Sequence, residues 1–331
     1  MRRDIIIMAL LPVLAACQGA NSIPASSGAQ GSSLTLAGRA TFSKPSAPDG
    51  KGPPFVPWIF VSNGQHGNVD VYNARTLKMI SQCSCSGVGL AVDPLSGDLA
   101  VGTRSGTVTV WHVQSAQITL FATLDLSQGP YAVGLAFDKK GDLYAANADD
   151  NGIDFFASSE IQAGGGNATR TLLTSHLIEA VYLAADGHSL LADGYNVNGQ
   201  PILVSVDTNT GADTIVQNVL SGTVPEGIVL DRHQNLILND VGYNNTLAVF
   251  RKPWTGSPKT AFVYGSAQNG YYTGISLNKA QNILWAANFS LPNPRYGVGN
   301  VQTNSYPLGT IGRSSAGIVS EYYDSIAVDP Q

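Results

Sequence analysis

The stretch GLAVDPLSGDLAVGTRSGTVTVW, residues 89–111, decides the fold. Two short apolar runs flank a polar turn that holds Asp93 and Gly97, and a Val-rich alternating run follows. Such alternation is what half-buried strands show, while Asp and Gly tolerate left-handed turn geometry and form local side-chain bonds. The same order returns as GLAFDKKGDLYAANADDNGIDFF from Gly134 and AVYLAADGHSLLADGYNVNGQPILVSV from Ala180. It returns again as GIVLDRHQNLILNDVGYNNTLAVF from Gly227 and GISLNKAQNILWAANFSLPN from Gly274, and SIAVDPQ begins at Ser325.

Taking the fifth residue of each unit as anchor gives Asp93, Asp138, Ala184, Asp231, Asn278 and Asp329, with separations of 45, 46, 47, 47 and 51 residues. Four antiparallel strands every ~45 residues is the pattern of a β-propeller blade. The unit WIFVSNGQHGNVDVYNARTLKMISQ from Trp58 lacks its first strand, and SIAVDPQ has only that strand. Each part alone would expose unpaired edges. The expectation is an all-β, six-bladed propeller with four-stranded blades, its ring closed by the C-terminal strand joining the N-terminal blade.

A unit of this type resembles the NHL repeat and the broader six-bladed superfamily of senescence-marker-protein/gluconolactonase lactonases. The likeness spans roughly residues 58–331 and specifies architecture far better than function. The Val-Thr-Val-Trp run ending at Trp111 is similar to a WD-repeat strand, but the Gly-His start and Trp-Asp end are missing.

The N-terminus MRRDIIIMALLPVLAACQG has two arginines, an apolar run and small residues before Cys17, which is a secretory signal pattern. Leu14-Ala15-Ala16-Cys17 resembles the bacterial lipobox, which implies a lipid on Cys17. Gln18, in place of the Asp that favours inner-membrane retention, implies sorting to the outer membrane or the surface if the cell is Gram-negative. Residues 18–55, rich in Ser, Gly, Ala and Pro, read as a flexible tether. The expected division is therefore 1–17 signal, 18–55 tether and 56–331 propeller. It implies an extracytoplasmic lipoprotein, periplasmic or on the cell surface, held to the membrane by its N-terminal lipid.

With 44% hydrophobic and 12% charged residues among 331, a large core is available, and 36 Gly and 17 Pro suit a fold rich in turns. A net charge of −5 argues against nucleic acid as a partner, since phosphate binding needs a basic surface. A monomer with an unidentified small-molecule or envelope-protein partner is expected. Apart from Cys17, the cysteines are Cys83 and Cys85. An oxidising compartment would allow a disulfide between them. In an extended strand, however, positions i and i+2 lie about 6.5–7 Å apart, at the edge of disulfide geometry, which favours two thiols. A lone Cys-x-Cys is also a weak zinc signal.

Standard catalytic signatures are absent: no Gly-x-Ser-x-Gly, no His-Glu-x-x-His, no Walker loop, no EF-hand loop. His66, His112, His176, His188 and His233 fall at different repeat positions, and the run Gly164–Gly166 reads as an ordinary loop. The positions just before the inner strands, which converge on the channel mouth, are Val88, Val133, Glu179, Glu226, Thr273 and Asp324. Two carboxylates about 6 Å apart repel by about 3 kcal/mol at an effective dielectric near 20. Glu179, Glu226 and Asp324 must therefore hold a cation, raise a carboxyl pKa or stay widely hydrated. A divalent cation of the Ca²⁺ or Mg²⁺ type takes such oxygen ligands.

The lactonase resemblance implies a metal at this mouth, and Pro225-Glu226-Gly227 is similar to that family's Pro-Asp-Gly ligand segment. It implies a polarised lactone carbonyl, with Asp324 or Glu226 activating water. A Glu at 179, where that family has Asn, departs from the pattern. The residues ending the second strands, Asn63, Thr103, Asn147, Asp193, Asp240 and Asn288, recur in nearly every unit and read as structural. The segment FSLPNPRYGVGNVQTNSYPLG from Phe289 is the irregular insertion and a candidate binding loop. The functional expectation is a binding or scaffolding protein of the envelope, with a metal-dependent lactonase-like hydrolase as the alternative.

Overall fold

Every strand of the repeat carries apolar residues on both faces, so each sheet needs a neighbour on either side. The computed structural model describes residues 58–63, 67–85, 87–114, 117–129, 132–147, 151–177, 179–185, 189–218, 225–240, 246–256, 260–263, 271–277, 281, 283–290, 298–305, 314–320 and 325–328. The chain is an all-β propeller with mainly antiparallel sheets and almost no helix. Five blades are counted in it, one fewer than the repeat leads one to expect, while the described strands group into six sheets.

Sheet 1 contains β1 (Trp58–Asn63), β2 (Asn68–Asn73) and β3 (Met79–Cys83). Sheet 2 contains β4 (Gly89–Val92), β5 (Leu99–Gly102), β6 (Thr107–Gln114) and β7 (Gln117–Asp125). Sheet 3 has β8 (Ala132–Phe137), β9 (Leu143–Asn147) and β10 (Gly152–Phe156). A short helix α1 (Ser158–Gln162) and β11 (Gly165–Asn167) come next, and β12 (Arg170–Leu173) completes this sheet. Sheet 4 runs β13 (Glu179–Ala185), β14 (Ser189–Tyr195), β15 (Pro201–Asp207) and β16 (Asp213–Asn218). Sheet 5 runs β17 (Pro225–Leu230), β18 (Leu236–Asp240), β19 (Thr246–Phe250) and β20 (Thr260–Val263). Sheet 6 runs β21 (Tyr271–Leu277), β22 (Ile283–Ser290), β23 (Val298–Ser305) and β24 (Ser314–Ser320). Finally β25 (Ser325–Val328) returns to sheet 1 and pairs antiparallel with β1, Val61 opposite Ile326.

Alternation along each strand divides its side chains between two seams. On β1, Ile59 and Val61 pack with Trp285 and Ala287 of sheet 6, while Phe60 packs with Leu90, Leu99 and Val101 of sheet 2. Sheets 2 and 3 meet through Val108, Leu124, Leu135 and Phe156, sheets 3 and 4 through Ile153, Leu172, Leu190 and Ile202. Sheets 4 and 5 share Leu191, Leu203, Leu236 and Leu238, and sheets 5 and 6 share Ile237, Leu247, Ile275 and Leu284. Fully burying one such side chain contributes about 1.5–3 kcal/mol, so these seams are the main stabilising term. Close approach at the inner strands demands small residues: a Cβ on Gly102 would run into the Ala132 carbonyl of the next sheet. The inner strands neighbour one another in the order β4, β8, β13, β17, β21 and β25, and β25 also lies beside β4.

Hydrogen bonds reinforce two seams. Ser127, in the crossover from sheet 2 to sheet 3, donates its N–H (2.7 Å) and its hydroxyl (2.6 Å) to the carboxylate of fully buried Asp154. Thr171 donates to the same carboxylate at 2.6 Å. Ser175, in the crossover from sheet 3 to sheet 4, likewise donates N–H and hydroxyl to Asp213 at 2.9 and 2.6 Å. The Nδ1 of His176 lies 3.1 Å from the same carboxylate. Arg170 stacks on Phe155 at 4.6 Å and donates to the carbonyls of Thr208 and Asn209 across the seam.

The glycine run is not an ordinary loop. Gly164, Gly165 and Gly166 all have positive φ, and β11 pairs parallel with β7 of the preceding sheet, Gly165 opposite Thr123. A Cβ at Gly165 would collide with the Thr123 backbone, so glycine is required by contact as well as by φ. The strap makes sheet 2 five-stranded and covers part of its outer edge.

Candidate functional site at the inner-strand ends

Inner strands begin, and second strands end, at the same end of each sheet. The ladder is broken there by one extra residue in four sheets: between Ala132 and Leu135, between Ala180 and Leu183, between Pro225 and Gly227, and between Tyr272 and Gly274. Glu226 and Thr273 are themselves the inserted residues in β17 and β21. A bulge bends the strand, and bulges are over-represented at barrel rims and beside active sites. Glu226 is therefore not an ordinary pre-strand charge.

The pairing corrects the repeat register of the third unit. Ala132 faces Asn147 and Leu135 faces Ala145, while Ala180 faces Gly194 and Leu183 faces Ala192. The segment from Ala180 to Asp186 thus matches that from Ala132 to Asp138, making Asp186 the anchor rather than Ala184. Val181 then stands where Glu226 and Val133 stand, and Glu179 moves two positions outward, opposite Tyr195. The matched positions become Val88, Val133, Val181, Glu226, Thr273 and Asp324: two acids, with the Thr-bearing strand between them. The tyrosine in Ala-Val-Tyr, replacing the glycine of Ala-Val-Gly, hid this register. The same shift pairs Gly194, not Asp193, with the second-strand ends; Asp193 matches buried Ala146 and Asn239.

The described backbone places Glu179 and Glu226 in strands, whereas their side chains and the whole of Asp324 lie outside the described residues, as does Cys17. Among the described residues no group of three or more His, Cys, Asp or Glu side chains is arranged to hold a metal. Of the second-strand ends, Asn63 and Asn147 are buried, and Asn147 donates to the Gln128 carbonyl. In the insertion after Phe289, residues 298–305 form β23, paired throughout with β22. It therefore lengthens a hairpin, and residues 291–297 lie outside the described set.

At the opposite end three described turns have spent their acceptors on their own residues. Asp93 accepts from Leu95 N–H and the Ser96 hydroxyl, Asp138 from the N–H groups of Lys140 and Asp142, and Asp231 from those of His233 and Asn235. These are structural Asx turns. The described histidines are separate: His112 sits 2.7 Å from Asp98, His176 beside Asp213, and His233 in a turn. His66 and His188 lie outside the described residues.

Asp213 shows how its clasp is balanced. Burial raises its carboxyl pKa, but the Ser175 hydroxyl and the N–H groups of Ser175 and His176 outweigh this and hold it below the usual range. Sequence reading missed the Ser127 and Ser175 clasps because serines in a crossover carry no periodic signal. Cys83 and Cys85 are joined as a disulfide, with Cα atoms 5.2 Å apart. The strand-based spacing fails because β3 ends at Cys83, so the chain contracts before Cys85.

No family model matches this chain, and no curated protein matches it.

Proposed function

We propose that this protein is a lipid-anchored, extracytoplasmic six-bladed propeller that binds a small molecule or an envelope protein at the inner-strand ends. The six seams and the cyclic order of the inner strands support a ring of six blades, with the pairing of β25 and β1 joining its two ends. The observation that carries the binding reading is the set of bulges: the ladder breaks, and residue chemistry varies, at one end, whereas at the other end the described turns of Asp93, Asp138 and Asp231 bond their own backbone. Likeness to NHL and senescence-marker-protein/gluconolactonase propellers supports the architecture.

A photo-crosslinking residue at Thr273 and one at Leu95, which is 63% exposed on the turn end, provide the test. Capture of a discrete envelope component from position 273 alone is expected, and equal capture from both positions removes the reading. Fractionation of wild type and Cys17→Ser tests the anchor: the variant should leave the membrane fraction, and retention there means Cys17 is not its attachment.

The placement of Glu226 on a bulge favours one second reading, a divalent-metal-dependent lactonase-like hydrolase. With Glu179 out of register, Glu226 and Asp324 would be its acidic residues. Metal content of purified wild type and Glu226→Gln decides this, and equal content in both rejects it.

A further inference from the structure

The Cys83–Cys85 bond lies in a place where it can act on one seam alone. Cys83 closes β3, pairs across the ladder with Val69, and belongs to the same buried cluster as Cys85. That cluster joins Phe60, Val69 and Val71 of sheet 1 to Leu90, Leu99 and Val101 of sheet 2, and includes Ala327 of β25. Both cysteines are 4% exposed, while Ser84 between them is exposed, so the bond sits one residue beneath the surface of the crossover. Two residues further on, Gly87 accepts a hydrogen bond from the Ser62 hydroxyl of β1, and a Cβ there would collide with Val101. The Val88 N–H then bonds the Gly102 carbonyl at 2.8 Å. The crossover is thus held between the two sheets at Cys83, Cys85, Gly87 and Val88.

We propose that Cys83–Cys85 is a redox-sensitive lock on the seam between sheets 1 and 2, opened by a dithiol reductant. The bond accepts two electrons and two protons to give two thiols, and the reductant's dithiol becomes a disulfide. Two features make it a lock rather than a general staple. A bridge across one intervening residue removes little freedom from the unfolded chain, because disulfide stabilisation in the chain-entropy view grows with loop length. Two thiols, by contrast, cannot approach as closely as bonded sulfurs, whose separation is about 2.0 Å, and a close-packed seam has no spare room for the difference. Reduction therefore acts where Phe60, Leu90 and Val101 pack, the seam beside the junction of β25 with β1.

The tryptic peptide spanning residues 79–104 contains both cysteines and neither Lys nor Arg before its last residue. From native, unreduced full-length protein this peptide should take up no iodoacetamide, and after dithiothreitol it should gain two carbamidomethyl groups. Alkylation at both positions without reductant overturns the proposal. Hydrogen exchange of the reduced protein should quicken at least severalfold in β1, β3, β4 and β5 and stay unchanged in β17 and β18. No change in the seam, or exchange that rises everywhere, also overturns it. The double variant Cys83→Ala/Cys85→Ala should fold, show fast seam exchange from the outset and ignore dithiothreitol. Failure of that variant to fold would make the bond a global staple and equally end the proposal.

Discussion

The seams on either side of sheet 3 solve one problem in two ways. Each uses a crossover serine whose N–H and hydroxyl grip a carboxylate of the sheet being entered. Between sheets 2 and 3 the carboxylate, Asp154, is fully buried, and its described partners are neutral: Ser127 and Thr171. Between sheets 3 and 4, Asp213 has the exposed His176 imidazole beside it, and Arg170 bridges the same seam farther along. The first seam also has the β11 strap, and the second has no strand crossing it among the described residues. The first seam is therefore a neutral hydrogen-bonded knot at a fully buried residue, and the second a clasp with an imidazole beside it and a guanidinium farther along, on a carboxylate that is itself enclosed.

Breaking the neutral knot should cost the most. Asp154→Ala removes the shared acceptor of two Ser127 donors and the Thr171 hydroxyl and leaves a gap at a fully buried position, and a loss of about 3 kcal/mol is expected from urea unfolding. A loss under about 1 kcal/mol would mean the site takes in water and the contrast fails. Gly165→Val comes next: its Cβ meets the Thr123 backbone at a positive φ, so the strap should detach with a loss of about 2 kcal/mol. Protection of the Thr123–Asp125 amides measures it, and unchanged protection there counts against the strap. Asp213→Ala should cost only about 1–2 kcal/mol, because Asp213 begins the outermost strand of its sheet and is half-buried as a residue, whereas Asp154 lies mid-strand and fully buried. Arg170→Ala should cost about 1 kcal/mol through the lost Phe155 stacking and carbonyl contacts.

Acid tests the second clasp by itself. Because Asp213 is held below its unfolded value, its contribution is fully present above the ordinary carboxylate range near pH 4 and is lost as pH falls through the lower folded value. Wild type should therefore lose more stability than Asp213→Ala on acidification below about pH 4, and the two should run parallel from pH 5 to 8. Parallel curves throughout would remove Asp213 as a linked group.

Much of the fold was legible because the repeat writes it several times. Asp93, Asp138 and Asp231 announce their turns, and their carboxylates make the expected backbone bonds. Alternation such as Ile59, Phe60, Val61 signals strands buried on both faces, although it does not say which seam takes which residue. The candidate site was less legible because it depends on register, and one residue of slip turns a side chain to the other face. In the third unit Tyr182 replaced the glycine landmark, and Glu179 was placed two positions inward of its true pairing. The strap escaped notice since glycine reports permission rather than shape: the same three residues suit a free loop or a strand pressed on its neighbour.

The pairing of β25 with β1 also sets an order of completion. Strands β1 to β3 are the first of the propeller to leave the ribosome, yet the inner edge of their sheet is filled only by Ser325–Val328. Until that segment is made, Phe60 lacks Ala327 and Val61 lacks Ile326, and the earliest sheet waits with an open side. Synthesis and completion thus run in opposite directions for this sheet: the oldest strands of the chain are among the last to find their neighbour.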